Sequence, residues 1–286
     1  MSIEEIIRKA LEEDLGNGDH TSLATIPREA SGKSKLLIKE EGILAGVDIA
    51  KQVFRQLDPA IYFDVVISDG SPVRPGDIAF YVSGSSRSIL SGERLALNFM
   101  QRMSGIATAT SQLVKLIEGT GAKILDTRKT TPLLRELEKT AVRMGGGENH
   151  RMGLYDMIMI KDNHVDFAGG IRKAIEAANS YLSRMQPEEL KTQNEKLKIE
   201  IEVRNFRELE EVLRIGGVDR VMLDNFTVPD LSEAVKLINK RFETEASGGI
   251  NINNIRKYAE TGVDYISVGA LTHHIKSLDM SLKAVS

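Results

Sequence analysis

Apolar residues along this chain change their spacing twice. Over residues 3–14, Ile3, Ile6, Ile7, Ala10 and Leu11 recur at three and four, and Gly16 with Gly18 end the run, which predicts a short N-terminal helix. From Lys33 to Val82 the pattern shortens to β-rich pieces, KLLIKE, GILAGV, IYFDVVI and DIAFYVSG, separated by Gly, Pro and Asp, which predicts a small α+β unit. From Ser88 to Glu118 helical spacing returns through Leu90, Leu97, Met100, Leu113, Leu116 and Ile117. Ser104-Gly105 interrupts it, so one long helix or two abutting helices are expected.

Beyond Gly121 strands and helices alternate. Strand cores are predicted at KILDT, DMIMIKDN, IEIEV, RVMLDN, TEASGGI and DYISVGA, and helices such as FRELEEVLRIGG and INNIRKYAETG end in glycine. Six βα units predict a parallel sheet, closed as a barrel or open and doubly wound. Polar residues favour the barrel. The apolar cores are followed by Asp126-Thr127-Arg128-Lys129, Lys161-Asp162-Asn163-His164, Glu202, Asp224-Asn225, Ser247-Gly248-Gly249 and Gly269. A barrel gathers all six ends at one mouth, whereas a doubly wound sheet gathers only the strands at its switch point.

Composition narrows the chemistry. The 286 residues carry 38 Lys and Arg against 41 Asp and Glu, a formal charge of −3, so no global basic field exists to hold nucleic acid or an anionic membrane. Cysteine is absent, which removes disulfides, thiolate metal sites and cysteine nucleophiles. The start, MSIEEIIRKALEEDLG, is acidic and amphipathic, and no run approaches the ~18 apolar residues of a membrane span, so the cytoplasm is the expected location.

Cations are concentrated locally. Between residues 128 and 151 lie Arg128, Lys129, Arg135, Lys139, Arg143 and Arg151, against Glu136, Glu138 and Glu148. A solvated helix face accounts for Arg135 and Lys139 as well as a site does. Arg128 and Lys129 directly follow a strand and are expected to bind an anion, Arg through its planar fork and Lys as a mobile charge. In MGGGENHRMG the glycines allow a close approach to an anion or simply a surface turn. His150 beside Arg151 favours a site in which imidazole donates to an anionic ligand. Lys161, ending an apolar strand, calls for an anion or carboxylate, whereas His164 and His20 read equally well as turn residues. Glu202 and Asp224, at equivalent ends of neighbouring strands, can hold magnesium, accept from sugar hydroxyls, steady a developing positive charge or pair with these cations. SGGI and VGA resemble barrel phosphate sites, and His273-His274 lacks metal spacing.

The segments GERLALNFMQRMSGIAT, ILDTRKTTPLLRELEKTAVRMGGGENHR, MIMIKDNH, IEIEV, VMLDN, EASGGI and AETGVDYISVGALTH resemble the nicotinate-nucleotide pyrophosphorylases, also called quinolinate phosphoribosyltransferases. The likeness runs from EDLGNGDHTS to the C-terminus, and DTRKT and GGGENHR are its specific signatures. It implies an α/β protein: an N-terminal α+β sandwich domain over 1–103, rejoined by 271–286, and an incomplete, open parallel α/β barrel over 104–270. The implied reaction joins quinolinate to phosphoribosyl pyrophosphate with Mg²⁺, giving nicotinate mononucleotide, pyrophosphate and CO₂ in NAD biosynthesis.

The implied quinolinate contacts are Arg94, Arg128, Lys129, His150, Arg151 and Lys161, with Thr127 beside them. Arg94 and Arg135 would reach a neighbouring subunit's site in a homodimer or higher oligomer, which weakens the solvated-face reading of Arg135. Glu202 and Asp224 would face ribose and magnesium, and Ser247, Gly248, Gly249, Val268, Gly269, Ala270 and His273 the phosphate. The implied catalytic groups are Lys129, Lys161, Glu202 and Asp224. Leu133 and Thr140 depart from the family, which often has glycine and an aromatic there. The alternatives are a phosphoribosyltransferase acting on nicotinate, a paralogue associated with molybdate transport, and a catalytically silent sensor of phosphorylated sugars.

Overall fold

The computed structural model describes residues 1–184 and 197–285. In chain order the first half holds α1 (Ile3–Leu15), α2 (His20–Thr25), β1 (Ser31–Ile38), β2 (Gly42–Ile43), α3 (Val47–Leu57), β3 (Tyr62–Val65), β4 (Pro72–Val73), β5 (Ile78–Ser85) and α4 (Ser86–Leu116). There follow β6 (Lys123–Leu125), α5 (Arg135–Met144), β7 (Ile158–Ile160), α6 (Asp162–Ala168), α7 (Ile171–Arg184), β8 (Ile199–Val203), α8 (Phe206–Ile215) and β9 (Arg220–Asp224). The chain closes with α9 (Val228–Ile238), β10 (Glu243–Ser247), α10 (Ile255–Ala259), β11 (Tyr265–Ser267), α11 (Ala270–His273) and β12 (Met280–Ala284). No helix among the described residues is long and apolar enough to cross a membrane.

Two compact units result, one of Met1–Ser111, Thr130–Gly147 and Leu271–Ser286, the other of Gln112–Lys129 and Glu148–Ala270. Residues 104–111 and 130–147, assigned from the sequence to the barrel, thus belong with the first unit.

The first unit is built on an antiparallel sheet ordered β12-β1-β5-β3, with β2 and β4 paired separately. The chain's last strand pairs with its first from Ser34↔Ala284 to Ile38↔Met280. Phe54, Phe63 and Phe80 fill its core, the last two rings 4.3 Å apart. Helix α3 lies where the sequence suggested only β-rich pieces. Gly46, at φ 97°, ends the extended segment, and Val47, Ala50, Val53 and Phe54 then turn one buried face inward. Its first amides are capped by Asp69, which accepts from Val47 N at 2.9 Å, a partner 22 residues away that local reading could not supply.

Helix α4 runs 31 residues through Ser104-Gly105, the first of the two alternatives the spacing allowed. Ser104 serves as a docking point, its hydroxyl bonded to both the amide (2.9 Å) and the carbonyl (3.0 Å) of Ala45. Gly105 leaves room for the chain at Lys276, whose carbonyl would sit 2.3 Å from an added Cβ.

The second unit is a parallel sheet ordered β6-β11-β10-β9-β8-β7. All six strands fall where the sequence placed them. β6 and β7 are its edges and do not pair, so the barrel is open, as expected. Helix α8 ends at Gly216, at φ 69°.

The triple glycine is explained by packing within the first unit. An added Cβ at Gly145 would lie 2.3 Å from the Ala107 carbonyl oxygen of α4, and one at Gly147 would lie 2.8 Å from Thr110 Cγ2. At Gly145 and Gly147 small residues let the run lie against a helix, while Gly146 is exposed at φ 88°. Gly145→Ala is expected to cost about 1–3 kcal/mol through overpacking, read as a lower urea midpoint. An unchanged midpoint would contradict this packing role.

Candidate active site

The strands of the parallel sheet have two dissimilar faces. Register aligns Glu200, Arg220 and Glu243 across β8, β9 and β10, and two residues later it aligns Glu202, Met222, Glu245 and Tyr265 across β8 to β11. Because side chains alternate, these residues share the inner face with Asp224, Ser247 and Ser267, and the outer face is Ile199, Ile201, Val203, Val221, Leu223, Ala246 and Ile266. Every residue of β8 is buried, so its glutamates are not a wet face.

At the centre of the inner face Glu200 and Glu245 are 0% exposed, Arg220 7% and His150 8%. The imidazole arrives from outside the strands. The backbone at Glu148 bridges to Leu125 on the free edge of β6, and buried Asp126 accepts from the His150 amide at 2.9 Å and from Asn149 Nδ2 at 2.5 Å. His150 Nε2 lies 2.8 Å from Glu200 Oε2 and 3.5 Å from Glu245 Oε2. Arg220 donates Nη1 to Glu245 at 3.0 Å and Nη2 to Glu243 at 3.0 Å, with its guanidinium 4.0 Å over the Tyr265 ring.

These groups set one another's protonation. Burial, then repulsion from Glu245, pushes the Glu200 carboxyl up to about 7. Burial opposes a charge on His150, but the carboxylates of Glu200 and Glu245 outweigh it and raise the imidazole to about 9. Glu245, despite its burial, is held below its ordinary value by His150 and Arg220. The donor atoms of His150, Glu200 and Glu245 lie within 4.8 Å of one another, as a metal would need. Arg220 supplies a cation to Glu245 at 3.0 Å, while both Glu200 oxygens and Glu245 Oε1 are buried without a hydrogen-bond partner among the described residues.

Beyond this layer, at the C-terminal ends of the strands, the charges are less balanced. Arg151 is buried, and its pKa is lowered by burial and next by the nearby Arg128 guanidinium. Neither arginine forms an ion pair among the described residues, and Arg128 Nε is buried without a hydrogen-bond partner. Lys161 Nζ donates to Glu202 Oε2 at 3.1 Å. Asp224 accepts from Asn225 Nδ2 at 2.6 Å, and Asn225 itself stands in the left-handed region, at φ 58°. Gly248 makes room for that side chain, since an added Cβ would lie 2.1 Å from Asn225 Oδ1.

The candidate side chains named from the sequence fall in different surroundings. His150 directs Nε2 into the buried cluster, and the Arg151 amide donates to its Nδ1 at 2.7 Å, so the ring is not simply offered to a ligand. Lys139 is 1% exposed, not on a solvated face, because it and Glu138 turn inward from α5. The buried Val268 spends its amide on the Leu125 carbonyl. After SGGI no helix begins until Ile255, so no helix N-terminus stands at that turn. Thr127 accepts from the Lys129 amide at 3.1 Å, and His164 Nδ1 accepts from the Lys161 amide, so both serve local turns. Lys129, Gly249 and Ala270 are exposed, and Ser247 and Gly269 are half-buried. Arg94, Arg135 and His273 belong to the first unit. There Arg94 and His273 are exposed, and Arg135 donates to Thr130 Oγ1 at 3.1 Å. The sequence reading missed Glu200, Arg220 and Glu245. The signal was the strict alternation in IEIEV, with charged residues at matching positions of the next two strands.

The family model described as Quinolinate phosphoribosyl transferase, C-terminal domain, matches residues 106–283, and the N-terminal domain model matches 19–104. The chain belongs to the quinolinate phosphoribosyltransferase family. It is 45% identical to quinolinate phosphoribosyltransferase [decarboxylating] 2b, mitochondrial, of Nicotiana tabacum, over 98% of this chain and 82% of that protein. It is 40% identical to the probable nicotinate-nucleotide pyrophosphorylase [carboxylating] of Bacillus subtilis (strain 168), over 99% and 93%. The crystal structure of NadC from Streptococcus pyogenes matches with a TM-score of 0.91 at 38% identity, covering 99% of this chain and 97% of that one. The pyrophosphorylase from Francisella tularensis matches with 0.91 at 41%, covering 99% and 96%.

In this phosphoribosyltransferase the buried cluster predicts two stability effects. Arg220→Leu leaves the buried Glu245 carboxylate without its arginine partner and is expected to cost about 3–5 kcal/mol in urea unfolding. Glu200 and His150 both bind a proton more tightly folded than unfolded. Their contribution is therefore full at low pH and is lost as pH rises, from the ordinary 4.5 through about 7 for Glu200 and from 6.5 through about 9 for His150. Glu200→Gln should flatten the lower part of that slope; an unaltered slope would mean that Glu200 does not generate it.

Proposed function

We infer that this chain is a quinolinate phosphoribosyltransferase of NAD biosynthesis, forming nicotinate mononucleotide, pyrophosphate and CO₂ from quinolinate and phosphoribosyl pyrophosphate. The observation that carries this reading is the pair Arg128 and Arg151, neighbours of like charge, without an ion-pair partner among the described residues and with one buried N–H unused. Holding two guanidinium groups together is unfavourable until a planar anion lies between them, and a pyridine dicarboxylate supplies two such groups. Lys161 and the exposed Lys129 add mobile cations.

The reaction then follows from the substrates and these side chains. The pyridine nitrogen attacks the anomeric carbon of the ribose while the carbon–oxygen bond to pyrophosphate breaks, the leaving group taking the electron pair. Cationic residues orient the two anions, and Glu202 or Asp224 steadies the positive charge that develops on the sugar. The ring nitrogen, now cationic, accepts the electrons released as the adjacent carboxylate departs as CO₂, and a solvent proton replaces it on carbon. No lysine needs to form a Schiff base.

Glu202 and Asp224 also fit a magnesium ion. Both lie on the inner face, near its C-terminal edge, and Ser247 pairs in register with Asp224, a set of hard oxygen donors suited to an ion shared with a substrate phosphate. Bound there, the ion would neutralise charge on the departing pyrophosphate.

The proposed assembly is a homodimer with shared sites. Its support is Arg94, exposed on α4 and without an ion-pair partner among the described residues.

Loss of quinolinate absorbance that requires phosphoribosyl pyrophosphate tests the function; equal turnover of nicotinate would overturn the choice of a dicarboxylate. Arg128→Ala should lose on the order of 100-fold in kcat/KM, about two charge-assisted hydrogen bonds. For sharing, Arg94→Ala mixed with Lys161→Ala should regain partial activity, because one of the two sites in a mixed dimer is then intact. No recovery in verified heterodimers would refute sharing.

A further inference from the structure

One guanidinium of the first unit grips two segments just after they enter it. The chain re-enters that unit at Thr130 and again at Leu271. Arg102, on α4, donates Nη2 to Thr131 Oγ1 at 2.7 Å and to the Thr272 carbonyl at 3.0 Å, one residue past each of those points. Its ion-pair partner is Glu138 of α5, which accepts from Nε at 2.8 Å. The other oxygen of the same carboxylate accepts the Thr131 amide at 3.1 Å. Thr131 is thus held twice, by its hydroxyl and by its amide.

This attachment is firmer than an exposed loop ordinarily has. Glu138 is 1% exposed, so its carboxylate requires Arg102 and keeps the guanidinium in one place. The backbone that follows is itself unfavourable. Leu133 stands at φ 69°, in the left-handed region that leucine rarely adopts, and such a residue persists where its surroundings over-determine it. Lys129 is exposed and lies between two fixed points, the Thr127 hydroxyl that accepts its amide at 3.1 Å and the doubly held Thr131.

We propose that Arg102, held by Glu138, is a positioning residue for quinolinate binding: it anchors Thr131 and so fixes the backbone from which Lys129 reaches a substrate carboxylate. This rests on the reading of Lys129 as a quinolinate contact. A lysine on a loose segment would lose conformational freedom when substrate binds, and the anchored segment has lost it beforehand. A role confined to joining α4 and α5 predicts a change in stability with no change in substrate binding.

The test compares Thr131→Val, Thr131→Ser, the double variant Arg102→Leu with Glu138→Leu, and Lys129→Ala with the unaltered enzyme. Thr131→Val deletes the hydroxyl and keeps the ion pair, so its urea midpoint should be unaltered. Its KM for quinolinate should rise about fivefold, the loss of one charge-assisted hydrogen bond, with KM for phosphoribosyl pyrophosphate held within roughly twofold. Thr131→Ser, which restores the hydroxyl, should restore KM. The double variant removes both charges together, leaves no carboxylate of this pair unmatched, and should raise KM for quinolinate by at least about tenfold. Limited trypsin digestion of the substrate-free protein should release the fragment ending at Lys129 faster in Thr131→Val and in the double variant. An unchanged quinolinate KM in Thr131→Val, with Lys129→Ala impaired, overturns the proposal, as do unchanged cleavage after Lys129 and an equal rise in both KM values. If the double variant fails to fold, Thr131→Val and Thr131→Ser decide alone. If Lys129→Ala binds quinolinate normally, the substrate reading of Lys129 fails instead, and the digestion still decides whether Arg102 anchors the segment.

Discussion

Charge buried inside the parallel sheet is the constraint on which the second unit depends. Two carboxylates and a guanidinium occupy positions that an ordinary sheet would fill with aliphatic side chains. Each alone would cost several kcal/mol to desolvate. Together they are tolerable because register sets Glu200 against Arg220 and Arg220 against Glu243, while Glu245 one pleat on receives the same guanidinium. The backbone that follows β6 then brings His150 in to complete the set. Strand order, register and the path of residues 148–151 are therefore coupled, and a slip of one residue would turn the cluster outward and leave it unmatched.

Two electrostatic regimes follow along one set of strands. In the middle of the sheet, charges of both signs are buried together. At the C-terminal edge, Arg128 and Arg151 stand close without such compensation, and Lys161 shares the carboxylate of Glu202. The first regime fixes geometry, and the second is incomplete until an anion arrives. Quinolinate and a pyrophosphorylated sugar are the kinds of ligand that such an edge selects, and a transfer reaction whose electron sink is the substrate's own ring nitrogen needs orientation and charge more than it needs a nucleophile.

Much of this was legible in the residues. All six parallel strands were readable because short apolar or alternating runs end there in polar residues, and family signatures such as DTRKT and GGGENHR are contiguous. Three features were not legible, for separate reasons. Helix α3 depends on a cap from Asp69, 22 residues away. Gly145 and Gly147 owe their size to α4, which no local pattern announces. Lys139 has the composition of a surface residue and is nonetheless buried, since burial of a charge is decided by its surroundings.

By itself the sequence determined where strands and helices lie, that an open barrel presents its polar strand ends together, and which cations and acids stand at those ends, because these properties reside in spacing and in contiguous motifs. The tertiary structure alone decided which charges are satisfied. Glu200 and Glu202 differ by one pleat of the same strand and look alike in IEIEV, yet one meets His150 in the interior and the other Lys161 at the edge. That difference is set by partners contributed from other strands and loops, and sequence distance carries no record of them.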